Sequence, residues 1–484
     1  MKKIMFICAV CTALLSAAFA QSVSIEKETE NDFKLSKDQN VRIRNSFGDV
    51  NVSGSGEDAA VIHAKISVKA PSKQKAQALL DKIEVEMGMK GNTLEVISKI
   101  DQNTIRNASF TVDITAKIPR GIDLDVENQF GDTKVIDTQS AVKATSRNGD
   151  LEVENCRSTN LDNSFGNVLA VSINGRLDLV CRNGDVRVTG VKGACYLDNQ
   201  FGNTTVSDIT DALTLSSKNG NIELKDVASA EVHNAFGNLK ASNLKGDLGC
   251  NMANGAIKID NVDGSAKINS SFGEIDVAEV RGNLSIASNN GNITIKNIAK
   301  TVDVKNSFGD ITLTGANANV VLDNANGNIN VDQVKAQLNA SSKFGSITGK
   351  NIMGPVFAKN ANGNIDLENI DSPIDAQTSF ANAEFRNVCP SIRCYCQNGD
   401  IRIAGLKSGN ANLLLGTSFG GVDVEMPKDF QGEIKLQTTF GSINTGGIKG
   451  SYSKTYTSEK FETLVGEKKG IIQINATNSG IRLR

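Results

Sequence analysis

The chain of 484 residues has no tryptophan, two histidines and six prolines. Two histidines leave little room for imidazole-based catalysis or a His-rich metal site. Lys plus Arg (52) does not exceed Asp plus Glu (54), so the basic excess of a nucleic-acid binder is missing. At 39% hydrophobic and nearly neutral, the chain is not a disordered tail. Beyond the first residues there is no run of 18 apolar residues, so no transmembrane helix is expected.

The chain does have an N-terminal export signature. Lys2 and Lys3 precede an apolar run from Ile4 to Leu15, and Ala18-Phe19-Ala20 completes an A-x-A site, with cleavage expected before Gln21. Cys11 lies too early in the apolar run for a lipoprotein site and lacks its usual preceding residues. Residues 1–20 are therefore read as a signal peptide, and the protein as exported to the periplasm, the cell surface or the medium.

It also has 44 glycines, and many keep a register. Phe-Gly recurs with Phe at 130, 165, 201, 236, 272, 308 and 344, and Phe380-Ala381 continues the series. Asn-Gly recurs between them, with Gly at 149, 184, 220, 255, 291, 327, 363 and 399. One register of 17–18 residues thus carries Phe and Asn alternately before the glycine. With that glycine as position 1, apolar residues fall at 3, 5, 8, 12 and 14, as in Ile293, Ile295, Ile298, Val302 and Val304. Alternation of period two predicts two short strands per repeat. Position 7 is usually Asn, Asp or Gly (Asn155, Asp208, Asn243, Asn297, Asn369), residues suited to a left-handed second corner.

One such coil cannot bury its apolar face alone, but stacked coils bury a continuous core. The expected fold is all-β: a single-stranded β-solenoid (β-helix or β-roll) of about 18 coils with about 18 residues each. At roughly 4.8 Å per coil, residues 131–441 would extend about 85 Å. A competing geometry makes the whole 36 residues one coil; the shared apolar positions of both halves favour 18. Strand parity points positions 12, 14, 16 and 18 inward. Position 16 is then a buried polar column (Asn163, Asn199, Asn234, Asn306, Ser146, Ser217, Thr378), each side chain expected to bond its neighbour along the stack. Position 18 would be an inward column of Phe and Asn. The corner residues singled out are Phe165, Gly166, Phe201, Gly202, Phe236, Gly237, Phe272, Gly273, Phe308 and Gly309.

The ends depart from the register. Residues 21–120 read as an N-terminal α+β cap, with strands near 60–70, 93–100 and 110–118 and one helix over 71–83. Residues 121–445 are the repeat array, and 446–484 a C-terminal β cap.

Phe47-Gly48-Asp49-Val50, Asn148-Gly149-Asp150-Leu151, Asn183-Gly184-Asp185-Val186 and Ile118-Pro119-Arg120-Gly121 resemble the "putative adhesin" families of exported bacterial proteins. The resemblance covers most of the chain after residue 20. It implies an exported β-solenoid with no assigned enzyme activity. Ala381 breaks the corner glycine.

Candidate chemistry is sparse. Cys181, Cys396, Cys195, Cys250, Cys394 and Cys156 fall at inward positions and read as small core residues. Cys389, Cys394 and Cys396 cluster in sequence, but an i, i+2 strand pair is a poor disulfide and no His is near. Asp132, Asp150, Asp185, Asp310 and Asp400 follow the corner glycine, yet Asn167, Asn203, Asn292, Ala256 and Ser346 share that column, so turn chemistry explains it better than calcium. His63 and His233 read as surface residues. Carboxylates converge on no groove, so no catalytic, cofactor or metal site is assigned. A possible contact patch comprises Tyr196, Phe357, Arg393 and Tyr395, at outward positions 13 and 15. The favoured function is a non-catalytic adhesin-like binding or structural surface in the cell envelope. Its partner would be a protein or glycan of the envelope or a host surface. A periplasmic scaffold or regulator and a polysaccharide-active enzyme are the alternatives.

Overall fold

A computed structural model describes residues 22–100 and 108–484; the export signature of residues 1–20 lies outside the described residues. The chain is a β-solenoid of about 17 turns with roughly 18 residues per turn. Its described residues divide into two compact units, those of 22–140 with 145–149 and those of 141–144 with 150–484.

In the first unit, β1 (Val23–Lys34), β2 (Asn40–Asn45), β3 (Val50–Ser55) and β4 (Ala59–Ala70) precede α1 (Lys73–Leu80). Ser72 caps α1 by accepting from the Lys75 amide, and Ala76, Leu79 and Leu80 are its buried face. Then follow β5 (Ile83–Lys90), β6 (Thr93–Ile100), β7 (Ser109–Pro119), β8 (Asp123–Phe130) and β9 (Thr133–Ile136). β4 pairs antiparallel with β1 and β7. β2 lies between β6 and β8, and β3 between β7 and β9, all in parallel. The first coil, β2–β3, is thus held on both sides by strands that come later in the chain.

In the repeat array of the second unit each strand pairs in parallel with the strand one repeat away. Val168 stands beside Leu151 and Val186, and Phe165, Asn183 and Phe201 occupy successive rungs. The coil is therefore 18 residues, and Phe and Asn share one column. Ile293, Ile295, Ile298, Val302 and Val304 are all at most 1% exposed. Position 7 is the left-handed corner: Asn155, Asp208, Asp226, Asn243, Asn297, Asn351 and Asn369 have φ of 51–59°. There the side chains also bond along the stack, Asn261 Nδ2 donating to Asn243 Oδ1 (2.9 Å) and Asn387 Nδ2 to Asn369 Oδ1 (2.7 Å).

The C-terminal coil is placed out of chain order. Gly470–Thr477 lies between Asn412–Phe419 and Gly432–Thr439, in parallel with both. Ser458–Val465 then pairs antiparallel with Gly432–Thr439, and Ser451–Lys454 pairs antiparallel with it.

Two expectations about side chains are corrected. Position 18 does not point inward: Phe165, Phe201, Phe236, Phe272, Phe308 and Phe344 are 49–56% exposed. Strand parity holds only while the strand runs straight, and here the backbone bends immediately after Phe. The space inside the bend is already taken by the position-16 side chain. Position 16 is buried as expected, but its amides bond the corner backbone and not one another. Asn199 Nδ2 donates to Gly202 O (3.1 Å) in the bend it leads into, Asn360 Nδ2 to Gly345 O (2.7 Å) in the bend one rung earlier, and Asn306 Nδ2 to Gly309 O and Gly291 O in both. These amides tie successive bends together.

Candidate interaction surface

The corner at positions 16 to 2 is the most regular surface feature of the second unit, and each residue type in it has a physical cause. Position 1 needs glycine twice over. Gly202, Gly255, Gly273 and Gly327 have φ of 134–138°, a region L side chains avoid. A Cβ on Gly273 would also lie 2.0 Å from Gly255 O, and one on Gly291 1.9 Å from Gly273 O. The bends are stacked at backbone contact, and any side chain would separate them.

Ala381 shows what happens without glycine. The ladder from Val356–Asn362 onto the next strand stops at Thr378, where elsewhere it reaches the Phe rung. The Phe380 amide turns to Ala361 O (3.0 Å) and the Asn398 amide to Ser379 O (2.8 Å).

Position 2 is mostly Asp or Asn, whose side-chain oxygen accepts the position-2 amide of the next coil. Asp185 Oδ1 accepts from the Asn203 amide (2.8 Å), Asn292 Oδ1 from Asp310 (2.9 Å) and Asp310 Oδ1 from Asn328 (2.7 Å). Asp and Asn are interchangeable because either supplies that acceptor. Among the described residues, no group of three or more His, Cys, Asp or Glu side chains is arranged to hold a metal ion.

The Asn rungs of position 18 fold back on the backbone. Asn183 Nδ2 donates to Ser164 O (3.3 Å), Asn254 to Ala235 O (3.4 Å) and Asn326 to Ser307 O (3.0 Å), each the carbonyl just before the neighbouring Phe. The Phe rungs stand out in solvent. They form a ridge with a ring every second coil, about 9.6 Å apart. Phe419, Asn478 and Phe440 continue the alternation in space, although the chain visits them in a different order.

Shallow troughs flank this ridge. One, of about 810 Å³, runs along positions 15–17 past His233, Asn251, Asn269, Lys305 and Asp323. Another, of about 370 Å³, runs along positions 2–4 past Asp150, Asn167, Asp185 and Arg187. His233 reaches Glu231 (3.5 Å), and His63 in the first unit reaches Glu28 (3.5 Å).

The proposed contact residues separate into two places. Phe357, Asp375, Arg393 and Leu414 share one outward column on successive coils. They line a depression of about 490 Å³ with Pro355 and Pro373. Tyr395 stands two columns along, its hydroxyl 3.1 Å from Ser418 Oγ. Tyr196 is about nine coils away, roughly 43 Å. Its ring carries the Arg176 guanidinium at 4.4 Å, which Asp178 also holds with two 2.7 Å hydrogen bonds. Period-two reasoning alone misses the exposed Phe ridge as a surface. The glycine immediately after each ridge Phe except Phe380 is the available signal, because a bend at that point ends strand parity.

Cys156, Cys181, Cys195, Cys250, Cys394 and Cys396 are buried. Burial pushes the Cys181 thiol up to about 11 and those of Cys195 and Cys250 up to about 12. Cys394 and Cys396 have their sulfurs 3.9 Å apart, within thiol hydrogen-bonding reach, and this contact with burial holds the Cys394 thiol well up.

The corner chemistry repeats through the region where a family signature is found. Residues 273–390 match the Toastrack DUF4097 family model. The Toastrack segment spans the corners from Gly273 to Phe380-Ala381. The match supports the likeness to bacterial "putative adhesin" proteins. No curated protein matches the chain. Among solved structures, a "putative cell adhesion protein" from Clostridium sporogenes ATCC 15579 aligns over 95% of this chain and 99% of its own, at 9% identity and TM-score 0.16. A "putative adhesin" from Parabacteroides merdae ATCC 43184 aligns over 72% and 96%, at 14% identity and TM-score 0.15. A "putative lipid binding protein" from Parabacteroides distasonis ATCC 8503 gives 72% and 96%, 14% and 0.16. Superpositions this loose carry no argument about binding. Among the described residues no helix is long and apolar enough to cross a membrane.

Proposed function

We propose that this protein is a non-catalytic, exported, adhesin-like β-solenoid whose role is to present a long binding or structural surface in the cell envelope. The observation that carries this reading is the Phe ridge: half-exposed rings at a fixed interval on a backbone that stacked glycines and buried amides hold rigid. Exposed apolar surface of this extent costs solubility and marks interaction surfaces. The Toastrack match supports the same reading. The repeated corner carboxylates also fit it, because they accept backbone amides from neighbouring coils.

The test has two arms. Protease added to intact producing cells is expected to degrade the protein, and labelled protein is expected to bind envelope preparations saturably. Full protection from external protease together with no saturable binding would sink the reading. Turnover on a polysaccharide panel that is lost on changing one carboxylate would replace it with an enzyme.

A further inference from the structure

The Phe ridge has a spacing that selects one kind of occupant. In the first unit, Phe47 and Phe130 occupy neighbouring rungs of the same corner column, with no Asn between them. Their rings stack with centroids 5.0 Å apart and planes 4° apart. One coil of separation is therefore a stacking distance for this corner. Rings stacked along the ladder direct their faces along it and their edges outward. In the second unit every other rung is Asn, and at Asn183, Asn254 and Asn326 the amide is folded onto the backbone carbonyl beside it. Between successive Phe rings this leaves a slot two coils wide, about 9.6 Å. A third ring centred there would stand about 4.8 Å from each neighbour, close to the separation of the Phe47–Phe130 pair.

We infer that the occupant of these slots is the Phe ridge of a second copy of this chain. Two copies run antiparallel and shifted by one coil, so that each Phe enters the other's Asn rung. The arrangement is isologous: one two-fold axis across the ridge satisfies both copies with the same residues. The exposed ring area is of the order an interface needs. Nine rungs carry Phe in this unit (165, 201, 236, 272, 308, 344, 380, 419 and 440), each 49–64% exposed. At about 100 Å² exposed per ring, a copy offers about 900 Å², against about 800 Å² per partner in a standard stable interface.

This inference deepens the surface reading and rests on it only in using the same exposed ridge. The experiment is sedimentation velocity on the purified chain from nanomolar to high micromolar concentration, with the quadruple variant Phe236→Asn/Phe272→Asn/Phe308→Asn/Phe344→Asn beside it. Asn already occupies alternate rungs, so this variant keeps the corner chemistry; circular dichroism and hydrogen exchange verify its fold. The wild type is expected to dimerise at micromolar concentration, and the variant to dissociate at least ~100-fold more readily. A photo-crosslinker replacing Asn290 is expected to join two differently labelled copies, with the crosslink mapping to a Phe rung. A monomeric wild type, or a dimer that survives in the variant, overturns the inference. If the wild type is monomeric but binds envelope or insoluble polysaccharide through the four Phe rungs, the second copy is wrong and the surface reading stands. If neither association occurs, both fall.

Discussion

Replacing Gly273 with alanine tests the stacked corner most directly. The new Cβ would lie 2.0 Å from Gly255 O and 2.6 Å from the Gly255 carbonyl carbon. Real Cβ contacts below 3.0 Å are essentially unknown, so the two bends must part by about 1 Å. The ladder bonds at that corner, Gly255 N to Phe272 O (3.0 Å) and Gly273 N to Asn290 O (2.9 Å), would stretch or break. Each contributes about 1 kcal/mol. Holding alanine at φ +136° costs a further ~1–3 kcal/mol. The expected loss is about 3–5 kcal/mol, concentrated in the coils around residues 255–291. Long repeat arrays need not unfold in two states, so hydrogen exchange by mass spectrometry is the primary assay and urea denaturation the second. Peptides covering the 255, 273 and 291 corners should lose protection while those near 165 keep it. Gly88→Ala is the control, because a Cβ there meets nothing within 4 Å and its φ is unstrained. If Gly273→Ala behaves like Gly88→Ala, with unchanged corner protection and less than about 1 kcal/mol lost, then neither close approach nor backbone strain is what demands glycine at position 1.

Further outcomes follow from burial and charge. Phe272→Ala should cost only about 1–2 kcal/mol, because its ring is 54% exposed, whereas Phe385→Ala, at 0% exposure, should cost about 3–5 kcal/mol; equal midpoints in urea would refute the outward placement. Alkylation of Cys181, Cys195 and Cys250 at pH 8 should be at least ~100-fold slower in the folded protein than in urea, and fast native labelling would contradict their burial. The buried Glu459 carboxylate is pulled down to about 2, first by Lys454 Nζ (2.5 Å), then by Tyr452, with the Ile443 amide (2.8 Å) adding to it. A depressed carboxylate stabilises the fold above its unfolded value near 4.5 and loses that contribution as pH falls toward 2. Exchange in residues 432–465 should therefore rise between pH 4.5 and 2 in the wild type. Glu459→Gln should raise exchange at neutral pH and flatten that dependence; a parallel pH profile would refute the assignment.

The coil and its core are legible in the sequence because the chain repeats one physical demand many times. Alternation at positions 3, 5, 12 and 14 specifies two strands, and Asn or Asp at position 7 specifies a left-handed corner. A single coil of either kind would be ambiguous; many in register are not. The choice between 18 and 36 residues per coil needs the pairing itself, Phe165 beside Asn183 beside Phe201. The direction of Phe is misread when parity is carried one residue past the end of a straight strand. Asn199, Asn306 and Asn360 lie inside, as their position in the repeat requires, but a buried amide takes the nearest strong acceptors, and at a bend those are backbone carbonyls. The C-terminal insertion is not legible at all. Asn478 lies between Phe419 and Phe440 only because the last coil returns into a gap left by an earlier one.

The alternation of Phe with Asn is harder to explain as packing than as display. Stacked bends favour glycine at position 1 and an acceptor at position 2, and neither restricts position 18. If folding alone set position 18, Phe on every rung would add ring stacking of the kind Phe47 and Phe130 make at 5.0 Å. Asn on every rung would keep the corner soluble and its amides bonded. The second unit does neither: it holds each ring one rung short of the stacking partner that the same geometry provides in the first unit. An isolated ring at this corner keeps about half its surface in water, which at about 25 cal/mol per Å² forgoes on the order of 2 kcal/mol per rung. That exposure recurs along nine rungs, and a partner that fills the slots recovers part of the burial. The pattern thus places the missing burial at an interface, which is the outcome the Phe→Asn variant measures.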